Sequence, residues 1–470
     1  MSFLPVVLWT DALFFLLLLV AGGMIFHVRR SEPLRAAWRK VGGRATGMAS
    51  ATVLLVFLVI GFVDSLHYRP ALPVAAGAAD AKKAYSSEVL SALDGALASL
   101  RTRTEKTYSA PFASELYARE TIELPGGGQA RIYPRLAHGA SHLGEPQAER
   151  LGDIAGRMVL GLAVALVAWL CAAFFVTMTL ARRVGRSLAD TAVAILHGRT
   201  VLAWRSALVT LALLLSCVGA VVALAPYYHV FGTDKVGQDV LYLSLKSVRT
   251  ALIIGTLTTL VMLPFAVALG ILAGFVGGWI DDLIQYVYTV LNAIPGVLLI
   301  AAAVLMMQVV IDTHPQWFAT AAERADARLM ALCLILGITS WTGLCRLLRG
   351  ETLKLRELEY VQAARAFGVR TPAILRRHVL PNVMHIVLIA LVMDFSGLVL
   401  AEAVLSYVGI GVDPTTISFG TMINMARAEL ARDPMVWWSL LAAFVFMFVL
   451  VLAANLFADV VRDAFDPRRG

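Results

Sequence analysis

Charged residues are scarce in this sequence. Asp, Glu, Lys and Arg make up 15% of its 470 residues, whereas a soluble globular protein carries about 25%. Hydrophobic residues make up 59%, and a soluble chain of this length could not keep so much apolar surface away from water. The composition therefore excludes a soluble globular protein and predicts an all-α polytopic membrane protein.

Signatures of catalysis and of cofactor binding are also missing. The sequence contains no GxxxxGK[ST] phosphate loop, no HExxH motif and no GxSxG motif. The cysteines form no CxxC pair and are predicted to be packing residues in apolar runs; they are Cys171, Cys217, Cys333 and Cys345. These absences predict no catalytic residue, no metal site and no cofactor on this chain, and they argue against an intramembrane enzyme.

Apolar runs long enough to cross a bilayer as helices, which takes about 20 residues, occur nine times. They cover about residues 6–26, 47–66, 156–181, 205–226, 249–275, 286–311, 329–345, 384–410 and 436–459. Basic residues follow the first run, whereas a signal peptide carries them before its apolar run. The first run is therefore predicted to be a retained span.

Basic residues concentrate in the loops after the first, third and seventh runs. Because lysine and arginine are enriched in cytoplasmic loops, these three loops are predicted to lie inside. This topology puts the N-terminus outside the membrane and the C-terminus in the cytoplasm. It also explains the net charge of +8, so we expect a lipid bilayer as partner and no nucleic acid.

The predicted domains follow this topology. Residues 1–66 hold two spans and a basic cytoplasmic loop, residues 154–202 hold a third span and a second basic loop, and residues 203–470 hold six spans. Residues 67–153 are polar and predicted to form a small α+β extracytoplasmic domain.

Two patterns give that domain its predicted elements. Val89, Leu90, Leu93, Leu97 and Leu100 form one helical stripe and predict a single amphipathic helix. TIELPGGGQARIYP predicts two strands around a Pro-Gly turn. PALPVAAGAAD and HGASHLGEPQ predict disorder.

The cytoplasmic loop over residues 346–383 is predicted to form two short helices with a sharp turn. The first covers about residues 353–367 and is followed by Gly368, which suits the left-handed conformation at a helix end. Thr371 is predicted to cap the second helix, with Pro372 at its first position.

Pro381 is predicted to break the second helix of this loop, and Asn382 to cap the span that follows. Ala363, Ala364 and Ala366 would leave one surface nearly free of bulk. Such a surface lets another protein approach closely.

At this loop the sequence resembles a known family. QAARAFG followed by HVLPN is similar to the EAA loop of ABC importer permeases, although Gln362 replaces the Glu of that motif. The resemblance implies a coupling helix seated in a cleft of an ATPase subunit. The implied coupling residues are Gln362, Ala363, Ala364, Arg365, Gly368, His378, Leu380 and Pro381.

A second segment, HVFGTDKVGQDV, resembles the HPLGTDxxGRD segment after the first core span of the dipeptide/oligopeptide/nickel permeases, with Gln238 in place of the Arg. The matching residues are Gly232, Thr233, Asp234, Gly237 and Asp239. GGWIDD, AEAVLSYVGIGV and NLFADVVRDAFDPR follow in the family's order. The resemblance covers about residues 203–470 and implies a six-helix type I importer core; residues 1–202 lie outside the family pattern.

The resemblance also implies the function and the partners. It implies a non-catalytic permease subunit in a bacterial inner membrane, with a second homologous permease, two ATPase subunits that carry ATP and Mg²⁺, and an extracytoplasmic substrate-binding protein. The expected substrates are di- or oligopeptides, with nickel or another small solute as the alternative. A membrane sensor or scaffold is the alternative from a different class.

Ionisable residues within a span are candidates for the translocation pathway or a gate, because charge inside the bilayer is costly. Asp394 and Glu402 lie eight residues apart in the eighth run, on one predicted face. Structural hydrogen bonds to a neighbouring span are the alternative. In the sixth run, Asn292 and Pro295 predict a helix break.

The role of residues 67–153 stays open between two interpretations. They dock the binding protein or shape substrate entry, or they form a peripheral appendage that stabilises the assembly or has no measurable effect.

Overall fold

The computed structural model describes residues 3–72, 85–123 and 129–465. Within these residues, nine helical segments are long and apolar enough to cross a membrane, which confirms the predicted number. Most of PALPVAAGAAD lies outside the described residues, so its predicted disorder stays a prediction.

The N-terminal part begins with a short strand and continues with three helices. These are β1 (Phe3–Val6), α1 (Trp9–Arg30), α2 (Glu32–Gly43) and α3 (Ala45–Asp64). The spans α1 and α3 are mostly apolar and carry their charged residues near their ends, whereas α2 is amphipathic and joins them at the predicted cytoplasmic side.

Residues 67–153, which we call the extracytoplasmic segment after their predicted location, contain short strands and short helices. They are β2 (His67–Pro70), β3 (Leu90–Ser91), α4 (Ala92–Ala96), α5 (Ala98–Thr102), β4 (Glu120–Glu123) and β5 (Gln129–Ile132). Strands β1, β2 and β3 form an antiparallel sheet in that order. Strands β4 and β5 pair with Glu120 opposite Ile132, which confirms the predicted hairpin.

The prediction of one amphipathic helix in this segment is wrong. Ser91 and Asp94 form a capping box that starts α4 after Ser91, so Leu90 stays extended and pairs with Tyr68. Leu97 leaves the helical conformation and separates α4 from α5. A local hydrogen-bonded cap thus overrides the apolar periodicity.

Predicted disorder at HGASHLGEPQ is also wrong. Ala140 and Leu143 are buried in a cluster with Leu224, Tyr228 and Val230. This stretch therefore packs against the C-terminal end of the span over residues 204–224 and the residues that follow it.

A helical hairpin connects the extracytoplasmic segment to the C-terminal part. It consists of α6 (Pro146–Val184), α7 (Leu188–Leu196) and α8 (Trp204–Leu224). Gly161 of α6 and Gly219 of α8 meet so closely that a Cβ atom on Gly161 would lie 2.3 Å from the Gly219 carbonyl oxygen. Small residues at such crossings let membrane helices approach each other.

The C-terminal part is a bundle around one long buried helix. Its helices are α9 (Val240–Val276), α10 (Gly278–Ala293), α11 (Gly296–Thr313), α12 (Ala321–Ser340), α13 (Thr342–Arg356), α14 (Glu359–Ala366), α15 (Thr371–Ile374), α16 (Leu380–Val408), α17 (Phe419–Arg427) and α18 (Trp438–Phe465). Short 3-10 turns cover Pro315–Trp317 and Glu429–Ala431, and a π-helical turn covers Leu375–Val379. Helix α9 packs against α3, α12, α13 and α16.

The predicted break in the sixth run is confirmed. Helix α10 ends at Ala293 and α11 begins after Pro295, whose ring carries no N–H to continue the helical pattern. The Asn292 side chain accepts a hydrogen bond from the Thr342 hydroxyl on α13 at 3.1 Å. The break is thereby tied to the neighbouring helix.

Helix α2 is fixed to the C-terminal end of α18. Trp38 packs against Phe457 and Phe465, with ring centroids 6.4 and 5.7 Å away. Arg44 forms an ion pair of 2.6 Å with Asp463. The apolar face of α2 is therefore covered by the core, and its basic face stays exposed.

Candidate functional site

The loop between α13 and α16 has a helix-turn geometry that follows from its sequence. Helix α14 ends before Gly368, whose φ is 74°. The N–H groups of Gly368 and Val369 donate to the carbonyls of Arg365 and Ala364, both at 3.1 Å. This pattern closes a helix end around a left-handed residue, so the predicted role of Gly368 in the turn is confirmed.

Other details of the loop differ from the prediction. The helix expected over residues 353–367 is two helices, because α13 ends at Arg356 and α14 begins at Glu359. Thr371 is the first residue of α15, and its side chain makes no capping hydrogen bond.

The predicted break at Pro381 is wrong. The chain stays helical from Thr371 to Val408 because the π-helical turn before Pro381 widens the backbone where the ring lacks an N–H and needs space. Asn382 does not cap a new helix; its Nδ2 donates to the His378 carbonyl at 2.6 Å. The coupling loop is therefore built directly onto α16.

The short helix α14 turns only one side toward the protein. Val361 is buried and Ala364 packs against the core cluster around α9, α13 and α16. The expected bulk-free surface thus includes Ala363 and Ala366, which are exposed, but not Ala364. Beyond them Phe367 is 87% exposed, an unusual position for a large aromatic ring.

The remaining predicted coupling residues have different surroundings. Gln362 and Arg365 are exposed beside a groove of about 610 Å³, which α14 forms with Phe275 and Val276 at the end of α9. His378 lies 5.8 Å from the ring of Tyr360. Pro381 is exposed and Leu380 packs inward.

A second candidate segment is the loop before α9. Asp239 caps α9 and accepts from the Leu241 N–H at 2.9 Å, and Asp234 accepts from the N–H groups of Val236 and Gln238 at 3.0 and 2.8 Å. Gly232 and Gly237 have φ of 71° and 78°. The predicted motif residues therefore shape a tight loop at the N-terminal end of α9.

The extracytoplasmic segment covers this loop. A Cβ atom on Gly237 would lie 1.8 Å from the Glu105 carbonyl oxygen, so only glycine fits there. The Thr233 hydroxyl accepts from the Ser109 N–H at 2.7 Å and donates to the Thr107 carbonyl at 2.9 Å. The loop before α9, which resembles the family motif, thus contacts residues 105–109, and these lie outside the part of the chain that resembles the family.

A buried ion triad strengthens this contact. His229 lies between Asp239 and Glu105, with nitrogen–oxygen distances of 2.7 and 3.4 Å. Burial alone would lower the pKa of His229, but the hydrogen bonds to both carboxylates raise it to about 9. Burial would raise the pKa of Glu105, but hydrogen bonds from His229 and from the N–H groups of residues 137–139 lower it to about 2.

Two further charge clusters connect the N-terminal part to α9. The guanidinium of Arg249 binds Asp11 at 2.5 Å, and Asp11 also binds His67 at 2.8 Å. Thr10 donates from its backbone N–H to Asp326 of α12 at 3.2 Å. These side chains join α1, α9 and α12 in a cluster where Asp11 and Asp326 are buried.

The second cluster centres on Lys246. Its ammonium group lies 2.7 Å from Asp64 at the end of α3 and 3.1 Å from Asp94 of α4. Sequence reasoning missed both clusters. The signal was present, because Lys246 and Arg249 stand at the border of an apolar run and Asp11 stands within another.

Asp394 and Glu402 differ although both lie on α16. Glu402 is buried and accepts from the hydroxyls of Ser406 and Ser418 at 2.6 and 2.9 Å. It therefore connects α16 to the segment that begins α17, whereas the structural alternative predicted a hydrogen bond to a neighbouring span. Asp394 is half-buried and forms no hydrogen bond or ion pair within residues 3–72, 85–123 and 129–465.

Comparison with known proteins identifies the family. Residues 266–470 match the family described as binding-protein-dependent transport system inner membrane component. The chain is 33% identical over 239 residues to the oligopeptide transport system permease protein OppC of Mycobacterium tuberculosis, covering 51% of this chain and 76% of that protein.

Two other relatives agree with this result. The dipeptide transport system permease protein DppC of Lactococcus lactis is 30% identical over 240 residues, covering 51% of this chain and 64% of that protein. The glutathione transport system permease protein GsiD of Pectobacterium atrosepticum is 32% identical over 242 residues, covering 51% and 73%. This chain belongs to the binding-protein-dependent transport system inner membrane components, the membrane-spanning permease subunits of ABC importers.

Proposed function

We propose that this chain forms half of the translocation pathway of an ATP-driven importer for di- or oligopeptides. The names of its relatives support this substrate class, because they are permeases for oligopeptides, dipeptides and glutathione, which is itself a small peptide. Nickel, the earlier alternative, is named for none of these three relatives. A sensor or scaffold would leave the coupling loop unexplained.

The proposed assembly contains a second homologous permease, two ATPase subunits and an extracytoplasmic binding protein. ATP and Mg²⁺ bind on the ATPase subunits and not on this chain. The N-terminus lies outside a bacterial inner membrane and the C-terminus lies in the cytoplasm. ATP-driven closure moves the coupling helices and shifts the permeases between inward-open and outward-open states.

The geometry of α14 is the observation that carries this proposal. Its outward face is exposed and ends in the exposed ring of Phe367, which suits insertion into a cleft of a partner. Its inward face is connected to the bundle, because the Tyr360 hydroxyl accepts from Asn382 Nδ2 at 3.0 Å. A displacement of α14 would therefore be transmitted to α16.

A second connection braces the helices next to the loop. Arg349 of α13 binds both carboxylate oxygens of Asp281 on α10, at 2.5 and 2.7 Å. Such a two-pronged ion pair fixes the relative orientation of its partners. Helices α10 and α13 should therefore move together at the cytoplasmic side.

The test uses the transporter assembled with its ATPase subunits. Phe367→Ala should lower peptide uptake on the order of tenfold or more, the loss typical of a central aromatic interface residue. Ala363→Trp should do the same by overpacking the contact. Ala363 is a cleaner probe than Ala364, because a large side chain at Ala364 would also disturb packing inside the chain.

The matched control is Phe448→Ala, which removes a ring that is 52% exposed on α18, far from the loop in sequence. Its uptake and its amount in the membrane should equal those of the wild type. Unchanged uptake in both loop variants would contradict the coupling role. Robust ATP hydrolysis by the purified chain alone would contradict the assignment of ATP to separate subunits.

A further inference from the structure

The unpartnered carboxylate of Asp394 stands near the centre of a long helix. Helix α16 has 29 residues, and Asp394 lies about 21 Å along it at 1.5 Å per residue. A carboxylate at such a depth is costly against lipid and normally faces protein or water. Within the described part of the chain, no donor reaches it.

Glu402 shows what a structural carboxylate on the same helix looks like. It is buried, and two hydroxyl groups donate to it at 2.6 and 2.9 Å. The chain thus supplies donors where α16 carries an internal carboxylate. The absence of donors at Asp394 indicates that its partner comes from elsewhere.

The surface around Asp394 is open along the helix. Gly397, Leu400 and Val404 are exposed and follow Asp394 at spacings of three or four residues, which places these four residues on one side of α16. We call this side the Asp394 stripe. A Cβ atom on Gly397 would have no neighbour within 4 Å, so the chain leaves space next to the carboxylate.

The opposite side of α16 is occupied by the chain itself. Val399 and Ala403 are buried, and Ser396 donates to Asn455 of α18 at 2.6 Å. The orientation of the Asp394 stripe is therefore fixed by packing and points away from the bundle of this chain.

We propose that the Asp394 stripe lines the aqueous translocation pathway and that Asp394 binds the ammonium group at the N-terminus of the peptide. This inference rests on the proposed function for its ligand. A carboxylate in a narrow, partly dehydrated passage attracts a cation more strongly than one in bulk water. A free N-terminal ammonium is the cation that ordinary di- and oligopeptides have in common.

The first experiment locates the stripe in the assembled transporter. Cysteines are placed at positions 394, 397 and 400 in a variant whose four native cysteines are replaced, and each is reacted with a water-soluble thiol reagent. The control is a cysteine at Leu170, an exposed apolar position near the middle of α6. We expect the stripe cysteines to react at least tenfold faster than the control.

The second experiment tests the ligand by uptake of a dipeptide with a free or an acetylated N-terminus. Asp394→Asn keeps the size of the side chain but removes the charge, and it should raise KM for the free peptide about tenfold while leaving the acetylated peptide unchanged. Asp394→Glu keeps the charge and should therefore keep the preference for the free peptide over the acetylated one. A structural defect would change both peptides equally.

Several outcomes would overturn the inference. If the stripe cysteines react with the thiol reagent as slowly as the cysteine at Leu170, the stripe lies against lipid. Reaction in the isolated chain that is lost in the assembled transporter would mean that a second permease covers Asp394. An unchanged preference in Asp394→Asn would remove the ammonium site. By contrast, if the stripe cysteines react but the wild-type transporter takes up no peptide, the proposed substrate is refuted and the pathway stays in place.

Discussion

Replacement of Arg249 by Met should destabilise the protein more than any exposed ion-pair change. Arg249 connects α9 to the N-terminal part through Asp11, and the two side chains are 11% and 0% exposed. The Met variant keeps the length of the apolar stem but leaves Asp11 with His67 and without its guanidinium. The carboxylate of Asp11 then stays buried after the loss of its hydrogen-bond donor on Arg249.

The expected size of the effect follows from burial. Removal of one partner from a buried ion pair costs about 3–5 kcal/mol, which raises the unfolded fraction roughly 100- to 1,000-fold or more. The Arg44–Asp463 pair offers a matched control, because it also joins the N-terminal part to the core but its side chains are 46% and 31% exposed. Arg44→Met should cost about 0–1 kcal/mol.

The assay is reversible unfolding of the purified protein in detergent, with tryptophan fluorescence as the readout of the unfolded fraction. Arg249→Met, Asp11→Asn and the double variant are compared in a double-mutant cycle. The double variant should lose much less than the sum of the single changes, because each single change leaves a charged group unpaired. Additive losses, or a loss for Arg249→Met no larger than for Arg44→Met, would refute the reasoning.

Three further predictions address other parts of the molecule. The pKa of His229 is raised from 6.5 to about 9, so its stabilising contribution is complete below pH 6.5 and is lost as the pH rises toward 9. In His229→Gln, the free energy of unfolding should therefore fall less between pH 6.5 and pH 9 than in the wild type. Gly161→Leu should destabilise the α6–α8 hairpin by about 1–3 kcal/mol through overpacking, whereas Gly156→Leu, where a Cβ atom meets nothing within 4 Å, should unfold like the wild type. A cysteine at the exposed Glu115 should react with an impermeant reagent added from outside the cell, and labelling only from the cytoplasmic side would contradict the proposed topology.

The role of the extracytoplasmic segment changes in the light of these contacts. Glu105, Thr107 and Ser109 bind the loop before α9, and Asp94 binds Lys246. A segment held by buried ion pairs is packed onto the permease core, which favours a stabilising role over no measurable effect. Replacement of the whole segment by a linker would therefore test stability before it tests docking of a binding protein.

The loop next to α14 shows where sequence reasoning worked and where it did not. Gly368 could be predicted, because a left-handed helix end depends on a few adjacent residues and glycine tolerates it. The effect of Pro381 could not, since the π-helical turn that accommodates it is stabilised by the packing of Val379 and Val383 in the bundle. The predicted break rested on the low helix propensity of proline, whereas packing in the bundle keeps this segment helical.

The sequence by itself determined the class of protein, the family, and the nine helices that are long and apolar enough to cross a membrane within residues 3–72, 85–123 and 129–465. Whether a segment can cross a membrane depends on the hydropathy summed over about 20 consecutive residues. It can therefore be predicted without knowing which helices pack against that segment. The partners of Asp11, Lys246 and Arg249, and the difference between Asp394 and Glu402, were decided only by the tertiary structure. A buried charge is stabilised by whichever donor lies within about 3 Å, and hydropathy alone does not say which helices become neighbours.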